Sequence, residues 1–255
     1  MYSRSTLCGL LACLCLQAPQ AHSKTAEDYL TEVKDYAAAP LHWDAEEWQW
    51  AAGATAAVAS AYALDNRVRE RFADAQTRPT GDPHSLRDAA PTIALTLGTL
   101  AFGALRHDEP TYRTGYDMVE AVGLGSLSAF VLKNATGRAR PDSTTDRAAW
   151  GTGGDSFPSG HVTAAFAAAE VFAESRPPDE WRWRILAYSL ACATAYARVN
   201  GNMHWTSDTV AGAALGIATG RFVAARGDEK WHSRVSASIQ PLPGGAMLSF
   251  SVDPR

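Results

Sequence analysis

Cysteine is scarce and badly placed for cross-linking. The 255-residue chain holds four, and Cys8, Cys13 and Cys15 crowd together near its start, which leaves Cys192 alone. One thiol cannot close an internal disulfide, so the remaining chain must be stable through its core. Cys192 lies in the apolar run ILAYSLACATAYA and is expected to be a small core residue. A basic excess is missing too: 23 Lys and Arg face 27 Asp and Glu, a formal net charge of −4. With no surplus of cations to neutralise phosphates, nucleic acid is excluded as the main partner. Triplet repeats and low-complexity tracts are absent while 46% of residues are hydrophobic, which excludes collagen-like and disordered classes. Long apolar runs are also lacking. The longest uncharged windows, 48–64 and 89–105, are shorter than the roughly 20 residues that a bilayer helix needs. Other apolar stretches are interrupted by Asp117, Glu120, Glu170 and Arg221, each costly at bilayer depth unless it faces protein. With a mean hydropathy just below zero, the composition suits a soluble or peripheral helical domain, with an embedded one as the alternative.

What is present begins with an export signal. Arg4 supplies a positive start, Leu7 to Leu16 (LCGLLACLCL) form a short apolar stretch, and Ala21 and Ser23 offer a small-residue cleavage site before Lys24. The expected organisation is a signal peptide over 1–23, a helical domain over 24–232 and a tail over 233–255. Removing Arg4 with the signal takes the net charge from −4 to −5. Export would place the mature chain in the periplasm.

Alanine-rich apolar stretches with few β-branched residues favour helix over strand. Helices are expected over about 26–38, 44–73, 87–106, 114–136, 160–175, 179–199 and 206–225. The first begins at Thr25-Ala26-Glu27-Asp28 and stops at Pro40. Polar, Pro- and Gly-rich connections fall at 75–86, 107–113 and 141–158. In the tail, Val235, Ala237 and Ile239 alternate with polar residues, as do Leu248, Phe250 and Val252 beyond a Pro-Leu-Pro-Gly-Gly turn. That alternation predicts a short β-hairpin, whose apolar face should dock on the helices. The expected class is therefore an all-α helical bundle with a short C-terminal hairpin.

Three blocks carry chemistry. Lys133 is followed after six residues by Arg140-Pro141; Pro158-Ser159-Gly160-His161 opens an apolar helix; Arg198, His204 and Asp208 precede and open another. Arg140 and Arg198 can present planar forks to phosphate oxygens, and Lys133 adds a compact charge. Ser159 and Gly160 stand where a helix start attracts anions. His204 and Asp208 are spaced so that the carboxylate can reach an imidazole nitrogen, fixing the tautomer and leaving the other nitrogen to attack phosphorus. His161 would protonate the leaving oxygen and later activate water. Each block alone is an ordinary helix end or turn. All three in order arise by chance about once in a million chains, taking each residue as one in twenty.

These blocks resemble the signature of the type 2 phosphatidic acid phosphatase family, which shares its site with vanadium haloperoxidases and bacterial class A acid phosphatases. The resemblance covers 133–208 and extends to the helical pattern over 44–225. It implies a helical bundle of that kind and a phosphatase that cleaves phosphomonoesters or pyrophosphates of lipids or small molecules. It implies His204 as the phosphohistidine nucleophile, Asp208 as its partner and His161 as the acid. Lys133, Arg140, Ser159, Gly160 and Arg198 would hold the phosphate, with no metal and no cofactor. Where the family carries a serine before the third-block arginine, this chain has Ala197, which removes one secondary phosphate contact.

Other readings follow from the same residues: a soluble acid phosphatase of broad specificity, a vanadium haloperoxidase with His204 on the metal, or a phosphate- or headgroup-binding protein without turnover. The last does not need both histidines and Asp208. His22 falls in the signal, and His42, His84, His107 and His232 lack partnered spacings and are expected to be structural or on the surface. Trp43, Trp48, Trp50, Trp181 and Trp183 suit helix packing or, alternatively, a bilayer interface. Loops 141–158 and 75–86 are the expected selectivity elements.

Overall fold

The computed structural model describes residues 25–73, 86–232, 235–242 and 245–252, with side chains described over 25–72 and 87–226. Seven helices make up its body: α1 (Ala26–Ala38), α2 (Ala45–Ala73), α3 (Leu86–Arg106), α4 (Glu109–Thr136), α5 (Gly160–Glu174), α6 (Trp181–Asn200) and α7 (Thr206–His232). The expected signal peptide and the loop residues 75–85 lie outside the described residues. The tail is traced as an antiparallel pair, β1 (Val235–Leu242) with β2 (Gly245–Val252). The side chains of the tail, and with them its expected docking on the helices, lie outside the described residues, and the helices define the class of the fold.

Local chemistry sets most of the helix ends. Thr25 and Asp28 form a reciprocal capping box at the start of α1, and Ala39–Leu41 tightens into a 3₁₀ turn around Pro40. The connection expected at 107–113 shrinks to His107 and Asp108. Asp108 accepts a hydrogen bond from the Thr111 N–H and Pro110 occupies the first turn, so α4 starts at Glu109. At its other end Gly137 adopts φ +55°, a left-handed cap whose N–H bonds to the Lys133 carbonyl. That cap turns the chain sharply into the segment carrying Arg138 and Arg140. The last helix runs past the expected 225 to His232.

At the centre lies α5, buried from Val162 to Ala173 except for Ala164. Its alanines let neighbours approach closely, with α4 and α6 on two sides and α7 on another. On α7, Gly212, Gly216 and Gly220 form a stripe against α5. A Cβ at Gly216 would fall 2.5 Å from the Thr163 carbonyl oxygen, and one at Gly220 2.5 Å from the Glu170 Cβ. Beyond this core, Tyr36 of α1 meets Phe222 of α7 edge-on at 5.1 Å between centroids, and its hydroxyl bonds to Thr219.

Cys192 corrects the sequence reading, for it is exposed. The buried positions of α6 are Ala187, Ala191, Thr194 and Arg198, one helical stripe. Cys192 follows Ala191 by one residue, about 100° around the helix, and so faces outward.

The glycine stripe gives a direct test. Gly216→Ala is expected to destabilise the fold by about 1–3 kcal/mol, since the added methyl must push two backbones apart. Gly53→Ala in α2, with nothing within 4 Å of the new Cβ, should instead stabilise by about 0.5–1 kcal/mol. Denaturant unfolding of both variants in matched detergent or buffer reads the difference, and equal effects would contradict the close-approach assignment.

Candidate active site

The N-termini of α5 and α7 meet at the end of the glycine stripe, where the Ser159 N–H bonds to the Asp208 carbonyl at 3.0 Å. Loop 137–159 wraps this junction. Its backbone is tied to itself through Ser156 N–H to the Arg138 carbonyl (3.0 Å) and Ala139 N–H to the Ala149 carbonyl (2.9 Å). Gly154 is needed where the strands of the loop touch, because a Cβ there would lie 2.3 Å from the Arg138 carbonyl oxygen. Arg69 and Arg147 bind the loop to α2, the former through the Pro141 carbonyl and the latter through those of Tyr62 and Ala63.

A cleft of about 520 Å³ opens at this junction, and Lys133, Arg140, Asp155, Gly160, His161 and His204 are among the residues lining it. Five of the eight residues expected to do chemistry thus share one cavity. Ser159 sits just beneath as the N-cap of α5, fully buried, with a hydroxyl that has no hydrogen-bond partner among the described residues. A buried hydroxyl left unpaired at a helix start suits an incoming anion oxygen. Asp208 is wholly buried behind His204. Arg198 is also wholly buried and is not among the lining residues; its Nη1 donates to Asp88 of α3 at 2.7 Å. Ala197 is half-buried on α6 and also apart from the lining.

The expected direct bond between His204 and Asp208 is not formed. Nδ1 lies 3.8 Å from the carboxylate and instead donates to the Ser156 carbonyl at 2.7 Å. The carboxylate is already occupied, accepting from Arg138 Nη1 and Ser156 Oγ at 2.5 Å each and from the Trp205 N–H at 2.9 Å. Ser156 therefore bridges the pair, its hydroxyl on Asp208 and its carbonyl on the ring. A carbonyl only accepts, so Nδ1 carries the proton and Nε2 keeps a lone pair. Burial pushes the His204 imidazole down to about 4 against the opposing charge of Asp208, so the ring is neutral near pH 7. Burial also works against the charge on Asp208, but His204, Arg138 and Ser156 outweigh it and hold the carboxyl below its usual range.

On the cleft wall, Asp155 takes the guanidinium fork of Arg140, with Nε at 2.6 Å and Nη2 at 2.8 Å. Those bonds hold its carboxyl well below the usual carboxylate range. Arg140 Nη1 donates to the Met203 carbonyl at 3.2 Å, and Lys133 donates to the Asp155 carbonyl. Burial and the neighbouring Arg140 lower Lys133 to about 8. Asp155, Ser156, Asp88, Asp65 and Arg138 were not among the residues expected from sequence. Only Arg138 had a signal, lying inside the Lys133–Arg140 block.

Fold and site together define an all-α protein whose two central helix starts frame a cationic cleft with a neutral histidine. Residues 115–231 match the family model of the PAP2 superfamily. The lipid A 1-phosphatase of Porphyromonas gingivalis is 31% identical over 162 residues, covering 62% of this chain and 33% of that protein. The chain thus spans about a third of that relative's length. A transmembrane PAP2-type phosphatidylglycerolphosphate phosphatase from Bacillus subtilis, known from a crystal structure, is 20% identical with a TM-score of 0.41, over 90% of this chain and 98% of that one.

Two outcomes are expected of the cleft as an anion site. Phosphate affinity, read by calorimetry, should fall as pH rises through about 8, where Lys133 loses its proton, and Lys133→Arg should flatten that dependence. Asp155→Asn should tighten phosphate binding about fivefold or more, the scale of one unit charge removed a few ångströms away. Unchanged affinity would show that Asp155 does not compete for the Arg140 fork.

Proposed function

We propose that the chain is a metal-independent phosphatase that works through a phosphohistidine intermediate on His204 and acts on a phosphorylated lipid. The observation that supports this reading best is the placement of His204, with Nδ1 committed to a carbonyl and Nε2 left with a lone pair at a cleft carrying Lys133 and Arg140. A buried imidazole of that kind is a nucleophile ready at neutral pH, and the cations beside it neutralise the oxygens of the group it attacks.

In the first step the Nε2 lone pair forms a bond to phosphorus while the bond to the leaving oxygen breaks, and His161 gives that oxygen a proton. The ring then carries positive charge, which the Asp208 carboxylate 3.8 Å away stabilises. In the second step neutral His161 takes a proton from water, whose oxygen attacks phosphorus and returns the electron pair to Nε2. Lys133, Arg140, the Ser159 hydroxyl and the first turn of α5 hold the equatorial oxygens. Arg198, wholly buried and bonded to Asp88 through Nη1, adds positive charge that Lys133 already feels.

The lipid part of the proposal rests on the surface beside the cleft. Phe130 lines the cleft and is 63% exposed. Leu127, Val131 and Leu132 continue from it along α4, and Ile93, Leu97, Phe102 and Leu105 stand exposed on α3. Apolar surface of this extent is uncommon on a soluble monomer and suits contact with acyl chains. Among the described residues, α3 is the helix long and apolar enough, over Arg87–Arg106, to cross a membrane. The relative's printed name, a lipid phosphatase, agrees. With export of the chain through residues 1–23, the activity would lie in the periplasm at a membrane surface.

The test is phosphate release by the full chain in EDTA from an aryl phosphate, phosphatidic acid and an isoprenyl pyrophosphate, with the lipids in detergent micelles. Vanadate-inhibited release favouring a lipid is expected. His204→Ala should lower turnover by on the order of 10⁴ or more while vanadate still binds. Activity near wild type in that variant would overturn the nucleophile assignment. Release from the aryl phosphate alone would favour a soluble acid phosphatase of broad specificity.

A further inference from the structure

One buried cation takes no part in holding the phosphate. Arg138 is 1% exposed, and its guanidinium stands between two buried carboxylates. Nη1 donates to Asp208 at 2.5 Å and to the Ser207 hydroxyl at 2.7 Å; Nη2 donates to Asp65 at 2.8 Å and to the Arg147 carbonyl at 2.9 Å. Its carbon centre lies 4.5 Å from the Trp150 ring centroid and 5.3 Å from those of Tyr62 and Trp205. Asp65, on α2 and outside the matched PAP2 segment, closes the set by accepting from the Ser207 N–H (2.8 Å) and hydroxyl (2.6 Å). None of these groups lines the cleft.

Such an arrangement is costly to assemble, because three charges are buried together and lose their hydration. Helix capping by Asp65 alone would not need an arginine. What the arginine supplies is a countercharge shared by two carboxylates that would otherwise repel, one of them then taking a proton. Its planar fork also fixes which Asp208 oxygen points where: Oδ1 toward Arg138, Oδ2 toward Ser156 and the Trp205 N–H. Through Ser156 that choice reaches the His204 ring.

We propose that Arg138, anchored by Asp65, is a positioning residue that keeps Asp208 ionised and oriented so that Ser156 and Asp208 together hold His204 in its Nδ1–H tautomer. The inference deepens the phosphohistidine reading and rests on it for its kinetic consequence, though not for its structural one. Arg138 touches no substrate. Its loss should therefore act on the chemical step and leave the anion site in place.

Charged and polar groups from several elements face this pair. Asp208 is faced by Arg138 and Ser156 of the loop, by His204 and by Lys133 of α4; His204 is faced by Asp208, Lys133, Arg140 and Asp155. In Arg138→Lys the ammonium cannot bridge both carboxylates. Asp208 then titrates at higher pH, so the acid limb of the kcat profile should move upward. At its optimum kcat should fall by about 10- to 100-fold, the range seen when a group orienting a reacting residue is lost, with KM changed less than threefold. Asp65→Asn should move both quantities the same way by a smaller factor. Arg138→Met should lose more than Arg138→Lys, since no cation remains.

A second readout does not need activity. In ¹⁵N-histidine-labelled protein, with His204 assigned by a His204→Gln variant, wild type should show a fixed Nδ1–H tautomer near pH 7. Arg138→Lys should show a mixed tautomer or a shifted titration. If wild type releases no phosphate from any substrate, the phosphatase reading fails, and the tautomer comparison still decides the role of Arg138. If Arg138→Lys is folded by circular dichroism and keeps wild-type kcat, acid limb and tautomer, the proposal is overturned. It is also overturned if kcat falls only in step with lost folded protein while the pH profile and tautomer stay as in wild type.

Discussion

The close approach of α5 and α7 is the constraint on which the rest depends. Without the glycines at 212, 216 and 220, side chains would hold the two helices apart, and Gly212 already lies with its Cβ direction 2.7 Å from the Ser159 carbonyl oxygen. Because the helices touch along their length, their first turns touch too, and Ser159 bonds directly to Asp208. The first turn of α5, with Gly160 and His161, then opens on the cleft, while at the start of α7 the Ser207 N–H is taken by Asp65. The α5 start gives the cleft a positive end before any side chain is counted, and Lys133 and Arg140 add formal charge to it.

The site separates its arginines by task. Arg140 stands at the cleft with its fork on the exposed carboxylate of Asp155, a partner held by two hydrogen bonds and open to water. Such a pair exchanges readily for another anion, since screening by solvent keeps it weak. Arg138 is sealed among aromatic rings with two buried carboxylates, and a buried pair of this kind does not exchange without large cost. Arg198 is intermediate, wholly buried itself but paired with an Asp88 that is about a quarter exposed. The same side chain thus stands in three different settings, set by the burial of its partner.

At His204 burial and hydrogen bonding divide the work of setting the state of the ring. Burial removes the proton from the ring at neutral pH, and the Ser156 carbonyl decides which nitrogen keeps the remaining one. Asp208 is left to act by charge across 3.8 Å. That charge favours a cationic ring, but burial outweighs it and keeps the resting ring neutral.

The helices and the three blocks were legible in sequence because alanine content, apolar periodicity and end residues act locally. Thr25 with Asp28, and Pro40 beyond them, mark ends whatever the rest of the chain does. Cys192 was misplaced because an apolar run without clear periodicity does not say which stripe turns inward; the neighbours of α6 decided that. Lys133, Arg140, His161 and His204 could be named from spacing, and their gathering in one cleft follows from α5 and α7 starting side by side. Tertiary structure alone decided how they are held. Asp65, Asp88 and Asp155 lie far in sequence from the arginines they pair with or on a loop without a regular pattern. The His204 proton went to Ser156 rather than Asp208 because Arg138, brought in by the folded loop, had already claimed the carboxylate. Spacing along a helix fixes what a side chain can reach, and only the packed surroundings fix which of several reachable partners is still free.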